Sequence, residues 1–412
     1  PLPFHLKRSR AWLSSLILPV SVMTSRLYIS LLATCFCLLL GIDVAVDESL
    51  TTTTATTTPR MKYYNDVVKS LPPLTGKCVA ITGTTSGIGY WAAVATARKG
   101  PACLLMLNRI SSRAVAAEEE VKREAPAGVD VITIACDLEN ITSIHEAAAA
   151  VNRVAAKYGG LDVVALNGGI MSQPDVRTMD GFDVMMQTDH LGHFLLTKLL
   201  MPSLAAAASS RGECRIVEES SLARGSSHIL EGGGPLKATY FPRSPAGSLG
   251  GNASAASRER YHQAQLAKLA FSMALHSKLK LARNYSNFKS VASAPGFSDT
   301  HLDLPKFLRP DWIKNLIGMS AADGSCSILT AMFAPSVKSG DFHEPRFLSE
   351  GLPMKVIAEG TPLPPALPRG LPGVGIHDAE ICADETLAKV WEASEDALGL
   401  KWVIGVPSLV FV

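Results

Sequence analysis

The sequence predicts an α/β domain organised on a doubly wound parallel sheet, and two observations carry that prediction. From Leu74 onward, short apolar runs alternate with helical stretches rich in Ala, Glu and Lys, the signature of parallel strands joined by crossover helices. Directly after the first run, the glycine-rich turn TGTTSGIG (82–89) opens a helix. In such a sheet the ligand sits at the carboxyl ends of the strands.

In chain order, KCVAIT (77–82) is the first strand, ACLLML (102–107) the second, VDVITIAC (129–136) the third and LDVVAL (161–166) the fourth. CRIV (214–217) and KSVASA (289–294) supply the fifth and sixth. The intervening SSRAVAAEEEVKREA and TSIHEAAAAVNRVAAKYG have the composition of surface helices. Residues 224–257, rich in Gly, Pro and Ser, are expected to form a long loop, either a substrate lid or a disordered insertion. The many prolines of 340–380 predict irregular surface structure. A single domain is expected over 72–400, preceded by a Thr-rich linker (51–71) and followed by a tail (401–412).

The chain has 412 residues, 47% of them hydrophobic, enough for a sizeable core. A formal net charge of +2 and the lack of a basic block with interleaved aromatics argue against a nucleic-acid partner. Eight cysteines are scattered with no CxxC and no Cys/His cluster of zinc spacing, so no metal site is expected. Cys78, Cys103, Cys136 and Cys214 fall in or beside strand-like runs and are expected to be small buried hydrophobes.

Before the domain, Lys7, Arg8 and Arg10 precede one apolar run and Arg26 precedes another, LYISLLATCFCLLLGIDVAV, whose single charge is Asp43. The second run has the length of a bilayer-spanning helix and equally the character of a leader core. Residues 1–50 are therefore expected to be a signal, transit or membrane-anchor segment.

In TGTTSGIG, Gly83 permits the tight turn, Gly87 lets the backbone approach a pyrophosphate and Gly89 lets the helix pack on the strand. Ser86, Gly87, Ile88 and Gly89 open the helix, whose free N–H groups suit phosphate. This strand–turn–helix context makes the architecture Rossmann-like.

The same stretch resembles the TGxxxGIG fingerprint of the short-chain dehydrogenase/reductase family, and further motifs follow in the family's order. CDL (136–138) resembles the element that sets an aspartate, here Asp137 followed by Leu138, against the adenine. LNGGI (166–170) is similar to the family's NNAG stretch, keeping Asn167, Gly168 and Gly169. TDHLGHFLLTKLL (188–200) resembles the NHLGHF helix of retinol-dehydrogenase-like and protochlorophyllide-reductase-like members. RIVEESSLA (215–223) resembles the strand that ends in the catalytic serine, and YHQAQLAKLAF (261–271) the YxxxK helix. APGFSDTHL (294–302) resembles the turn that closes over the nicotinamide, with Pro295, Gly296 and Thr300 as its contacts. VWEASEDALGL (390–400) resembles the C-terminal helix of that subgroup, so the likeness spans about 72–400.

The resemblance implies hydride transfer between C4 of a nicotinamide and the carbonyl or alcohol carbon of a small, apolar alcohol, aldehyde or ketone. Tyr261 would be the general acid/base, and Ser221, with Ser220 as neighbour, would bond the substrate oxygen. Family members that prefer NAD place an acidic residue after the second strand; here Asn108 and Arg109 stand there. A guanidinium pairs with a 2′-phosphate, so NADP is expected ahead of NAD.

Three positions depart from the family pattern. The lysine one turn after the tyrosine is Gln265, which can bond ribose hydroxyls but carries no charge. Lys268 follows on the same helix face, a turn deeper. The relay asparagine is Asp189, whose negative charge would push the tyrosine's pKa upward. The glutamates Glu218 and Glu219 stand where a central parallel strand is covered on both faces; a shifted strand end exposing one of them is the mild expectation. His190, His193 and His262 are read as structural or cofactor-flanking. These departures favour a rival function, a non-catalytic NADP-binding protein that keeps the fold for sensing or structure. The glycine turn, Tyr261 and Ser221 favour catalysis.

Overall fold

The structure, a computed structural model, describes residues 61–225, 234–296, 319–345, 353–357 and 382–405. Thr300, the expected leader and most of the expected tail lie outside the described residues.

One sheet organises the chain, with strand order β3-β2-β1-β4-β5-β6-β7-β8. Its strands are β1 (Cys78–Thr82), β2 (Cys103–Asn108), β3 (Asp130–Ala135), β4 (Val163–Leu166), β5 (Cys214–Glu219), β6 (Phe288–Ser293), β7 (Phe342–Pro345) and β8 (Pro353–Ile357). All neighbouring pairs run parallel except β7 with the edge strand β8. Strands β1, β2, β4 and β5 are buried along their whole length. That explains why their sequences read as continuous apolar runs rather than alternating ones. The order steps outward on both sides of the β1–β4 pair, so a crevice opens at the carboxyl ends of β1 and β4.

Helices cover both faces. Packed on one are α1 (Tyr64–Ser70), α2 (Gly87–Arg98), α3 (Ser112–Glu124) and, later in the chain, α7 (Ala321–Phe333). The other carries α4 (Ile141–Ala156), α5 (Val184–Arg211), α6 (Ser254–Leu281) and α8 (Asp384–Leu398). Alternate residues of β1 divide between the two layers, Cys78 and Ala80 facing one and Val79 and Ile81 the other. α5 is long and apolar enough to cross a membrane, but 72% of its apolar window is buried inside the protein. It is a core helix here. A T-shaped and tilted cluster of Phe194, Phe271, Trp391 and Trp402 ties α5, α6 and α8 together, and so fixes the two helices that carry the site.

Several expectations are corrected. The stretch expected to be irregular, 340–380, contains β7 and β8. Each is short and contains proline, Pro345 and Pro353, which masked the strand pattern. The Thr-rich linker expected over 51–71 ends in α1, whose Tyr64 is fully buried. Asp323 of α7 accepts the backbone N–H groups of Lys62, Tyr63 and Tyr64, capping that helix from across the domain. At the other end Trp402, expected in a tail, is a core residue. The described cysteines Cys78, Cys103, Cys136 and Cys214 are free and buried, as expected.

Candidate active site

The glycine turn is fixed by close approach. Gly83 and Gly87 have positive φ (71° and 62°), which only glycine adopts without strain. A Cβ on Gly83 would meet the Gly168 Cα at 2.7 Å, and one on Gly89 would meet the Gly83 carbonyl oxygen at 2.2 Å. The elbow is braced from beneath: Asn167 Nδ2 donates to the carbonyls of Thr82 and Gly83 at 3.0 and 3.1 Å, and the Gly168 amide donates to Thr82 Oγ1 at 2.8 Å. Asn108, at the end of β2, is buried; its Oδ1 accepts from the Thr84 amide and its Nδ2 donates to Thr84 Oγ1, both at 2.8 Å. Its side chain therefore supports the elbow from inside the protein. Ser86 is exposed at the mouth of α2 and Ile88 is buried behind it.

This cradle fits a dinucleotide. Backbone N–H groups at the start of α2 are open to a pyrophosphate, and no acidic residue stands in the first turn to repel it. Leu138 is buried between Gly168 and Gly192, while Asp137 is partly exposed, its Oδ1 accepting from the Glu139 amide. Arg109 reaches from the end of β2 to Glu139 at 3.1 Å, with 57% of its side chain exposed. Pro295 and Gly296 follow Ala294 beyond the carboxyl end of β6, with Gly296 at φ 68°.

The chemistry-bearing residues lie on the same edge. After its first three residues α5 widens into a π-turn over Gln187–Leu191, a distortion common at functional sites, and this turn carries Asp189. The Ile170 amide donates to Asp189 Oδ1 at 2.8 Å and Gln265 Nε2 donates to Oδ2 at 2.9 Å. From Gln265 the contacts continue to the end of β5, because Ser220 Oγ donates to the Gln265 carbonyl at 2.8 Å. Ser221, one residue on, hydrogen-bonds the phenol of Tyr261. Elbow, Asn167, Asp189, Gln265 and the Tyr261–Ser221 pair are thus joined by hydrogen bonds and by the short backbone runs 167–170 and 220–221. Burial, with the Asp189 and Glu219 carboxylates, raises the tyrosine's pKa, and the Ser221 bond only partly opposes this.

Behind this pair lies a cluster that the sequence signalled only as an oddity. β5 runs through Glu219, so both glutamates are inside the strand and buried (1% and 5% exposed), against the expectation that a shifted strand end would expose one. Lys268, also buried, stands 3.5 Å from Glu218, and Ser293 donates to Glu219. Burial lifts Glu218 and Glu219 to about 8 and Asp189 to about 7, with Lys268 holding all three down. One ammonium serves three carboxylates. His193 lies 3.8 Å from Glu218 but is kept neutral by burial and by Lys268. Its Nδ1 faces the Asp189 carbonyl, which can only accept, so Nδ1 carries the proton and Nε2 accepts from Thr82. His190 bonds Ser394 and His262 bonds the Ala223 carbonyl.

A second unforeseen group anchors the loop. Arg260, immediately before the tyrosine, is completely buried and donates to the carbonyls of Gln173, Leu249 and Gly251. Its guanidinium lies 3.4 Å from Asp183 and 3.8 Å from Asp175. Arg177 bonds Asp175 and the carbonyls of Ser244 and Pro245, and Asp175 accepts from the amides of Leu249 and Gly251. The described part of the long loop is therefore tied down beside Tyr261. A lone Arg before the tyrosine and two aspartates some eighty residues upstream share no local pattern, so only the fold brings them together.

Comparison with known proteins agrees with this geometry. A family model described as short chain dehydrogenase matches residues 77–230. An uncharacterized oxidoreductase of Schizosaccharomyces pombe is 31% identical over 264 residues, covering 63% of this chain and 70% of that protein. The chain belongs to the short-chain dehydrogenase/reductase family. Human retinol dehydrogenase 13 is 36% identical over 154 residues, 37% of this chain and 44% of that protein. A solved structure of a putative uncharacterized protein from Mycobacterium paratuberculosis superposes with a TM-score of 0.56 at 25% identity, covering 81% of this chain and 97% of that one. As a family member the protein is an oxidoreductase acting on CH–OH or C=O groups with a nicotinamide cofactor, and the non-catalytic rival gives way.

The carboxylate cluster has a consequence for stability. A group whose folded pKa is raised binds its proton more tightly in the native state, so stability falls as pH rises from the unfolded to the folded value. For Glu218 and Glu219 that window runs from 4.5 to about 8. Thermal unfolding is expected to shift down by about a few degrees across this range. Glu218→Gln should flatten the slope; a wild-type melting temperature that rises toward pH 8 contradicts the assignment.

Proposed function

We propose that this protein transfers a hydride between NADP(H) and the carbonyl or alcohol carbon of a small lipophilic substrate. The observation that carries the proposal is the contact chain from the braced elbow to the Tyr261–Ser221 pair, all on the carboxyl edge of one parallel sheet. The cofactor supplies the hydride; the chain's own residues bind, orient and move the proton. Ser221 would hold the substrate oxygen and Tyr261 would exchange a proton with it. With Tyr261 mutated to Phe, turnover should fall by about a hundred- to ten-thousand-fold, while NADPH binding followed by fluorescence persists. Equal turnover in wild type and variant would refute the role.

NADP rather than NAD is supported by Arg109. Its half-exposed guanidinium stands at the end of β2, and Glu139, the acid beside it, is already paired with it. Arg109→Ala is expected to raise KM for NADPH by about tenfold and to leave KM for NADH unchanged. A parallel rise with both cofactors would argue for NAD or for mere loop support.

A lipophilic substrate is supported by the likeness to a protein named for retinol. An oxidised and reduced panel of retinoid, steroid and aliphatic aldehyde substrates tests it alongside the Tyr261 variant. Residues 1–50 would place the enzyme at a membrane or in an organelle through their apolar run. Deleting them should move the protein out of the membrane or organelle fraction on cell fractionation; unchanged distribution would show the address lies elsewhere.

A further inference from the structure

We propose that the paired departures on α5 and α6, a carboxylate at Asp189 and a neutral amide at Gln265, poise Tyr261 as a proton donor, so that the enzyme is built for carbonyl reduction and oxidises alcohols slowly near neutral pH. The proposal rests on the hydride-transfer reading above and specifies its direction.

Geometry supports it first. Gln265 occupies the position one helical turn after Tyr261, and its side chain is turned to Asp189, donating at 2.9 Å. Both groups are buried. The other Asp189 oxygen accepts from the Ile170 amide. Of the nearby cations on α6, Arg260 lies against Asp175 and Asp183, and Lys268 is held 3.5 Å from Glu218 of β5. Around Tyr261 the titratable groups are therefore Asp189 from α5 and Glu219 from β5, each negative only once it has lost its proton, with the neutral Ser221 hydroxyl as its bond partner. Around Asp189 itself stand Lys268 and Gln265 from α6, the Ile170 amide from the turn after β4, Glu218 from β5, and Asp183 and neutral His193 on its own helix. A phenolate, formed only above the pH at which both of these groups ionise, would face two carboxylates. Burial and these charges act on the phenol in the same direction.

The direction of catalysis follows. In reduction, the hydride and its electron pair leave C4 of the reduced nicotinamide and form the new C–H bond. The carbonyl's π pair moves to oxygen and takes the proton of the Tyr261 O–H, leaving alcohol, oxidised cofactor and a phenolate that recovers its proton from solvent. Oxidation runs the same steps backward and must begin from the phenolate. While the phenol stays protonated, reduction is insensitive to pH and oxidation rises about tenfold per pH unit without a plateau.

The test reads the phenol directly in the full-length protein, by NMR of tyrosine isotopically labelled at Cζ, with Tyr261→Phe assigning the signal. In wild type the Tyr261 signal is expected to stay in its protonated position to about pH 10 or beyond. The double variant Asp189→Asn with Gln265→Lys restores a neutral acceptor facing a cation and preserves the donor–acceptor pair. Its Tyr261 should titrate lower by at least about one pH unit, with an oxidation plateau moved down to match. Gln265→Lys alone should do less than its share, because the new ammonium would lie against the Asp189 carboxylate. Wild-type titration at or below about pH 9, or a double variant indistinguishable from wild type, overturns the proposal. Because the NMR readout needs no turnover, failure of the functional reading is separable. A phenol that titrates as expected, with no hydride transfer in either direction, sinks hydride transfer and leaves the phenol's protonation standing. Hydride transfer with early titration sinks the proposal alone.

Discussion

The closeness of two backbones governs the site. Gly83 after β1 and Gly168 after β4 approach until a single added carbon would collide, and Asn167 fills the remaining hydrogen-bonding capacity of the turn. Three consequences meet there. The elbow can point its helix at a phosphate only because the turn beneath it is this tight. The chain leaving Gly168 is then directed past Asp189, whose Oδ1 lies 3.2 Å from where a Cβ on Gly169 would be. Asp189 in turn sets Gln265, and α6 sets Tyr261. The glycine elbow and Tyr261 are thus registered against each other by sheet geometry.

The chemistry placed on that frame trades one electrostatic arrangement for another. Where the family implies a cation next to the tyrosine, this chain has a hydrogen-bonded amide and carboxylate, and it keeps its cation deeper, among glutamates. Burying three carboxylates near one ammonium is costly unless protons are retained, and the raised values of Glu218, Glu219 and Asp189 express that retention. Neither Glu218 oxygen has a hydrogen-bond partner closer than the ion-pair contact with Lys268. The region behind the active site is therefore sensitive to protonation in a way that an apolar strand would not be.

Much of this was legible in the sequence because it is local. The first six strands, the elbow and the order of motifs all follow from runs of a few residues, and buried parallel strands announce themselves as unbroken apolar stretches. The seventh and eighth strands were not legible: Phe342–Pro345 is four residues ending in proline, and its partner begins with one. The helix before β1 was hidden because its stabilisation comes from Asp323, some 260 residues away. At the site, Gln265 and Asp189 could each be recognised as departures, but that they bond each other is a fact of three-dimensional register between α5 and α6. Asn108 was expected to face the cofactor; the fold instead gives both of its polar atoms to Thr84.

Arg260, next to the tyrosine, and the partly buried Arg177 grip the loop and neighbouring Gln173 mainly through main-chain oxygens: those of Gln173, Ser244, Pro245, Leu249 and Gly251. Peptide oxygens are the same whatever residue bears them. Apart from Ser244, Ser248 and Asn252, whose side chains also join the contacts, side chains along that rim are little needed to keep the segment in place. Sequence drift there can remodel what the cleft admits without unmooring its wall from the helix that carries Tyr261.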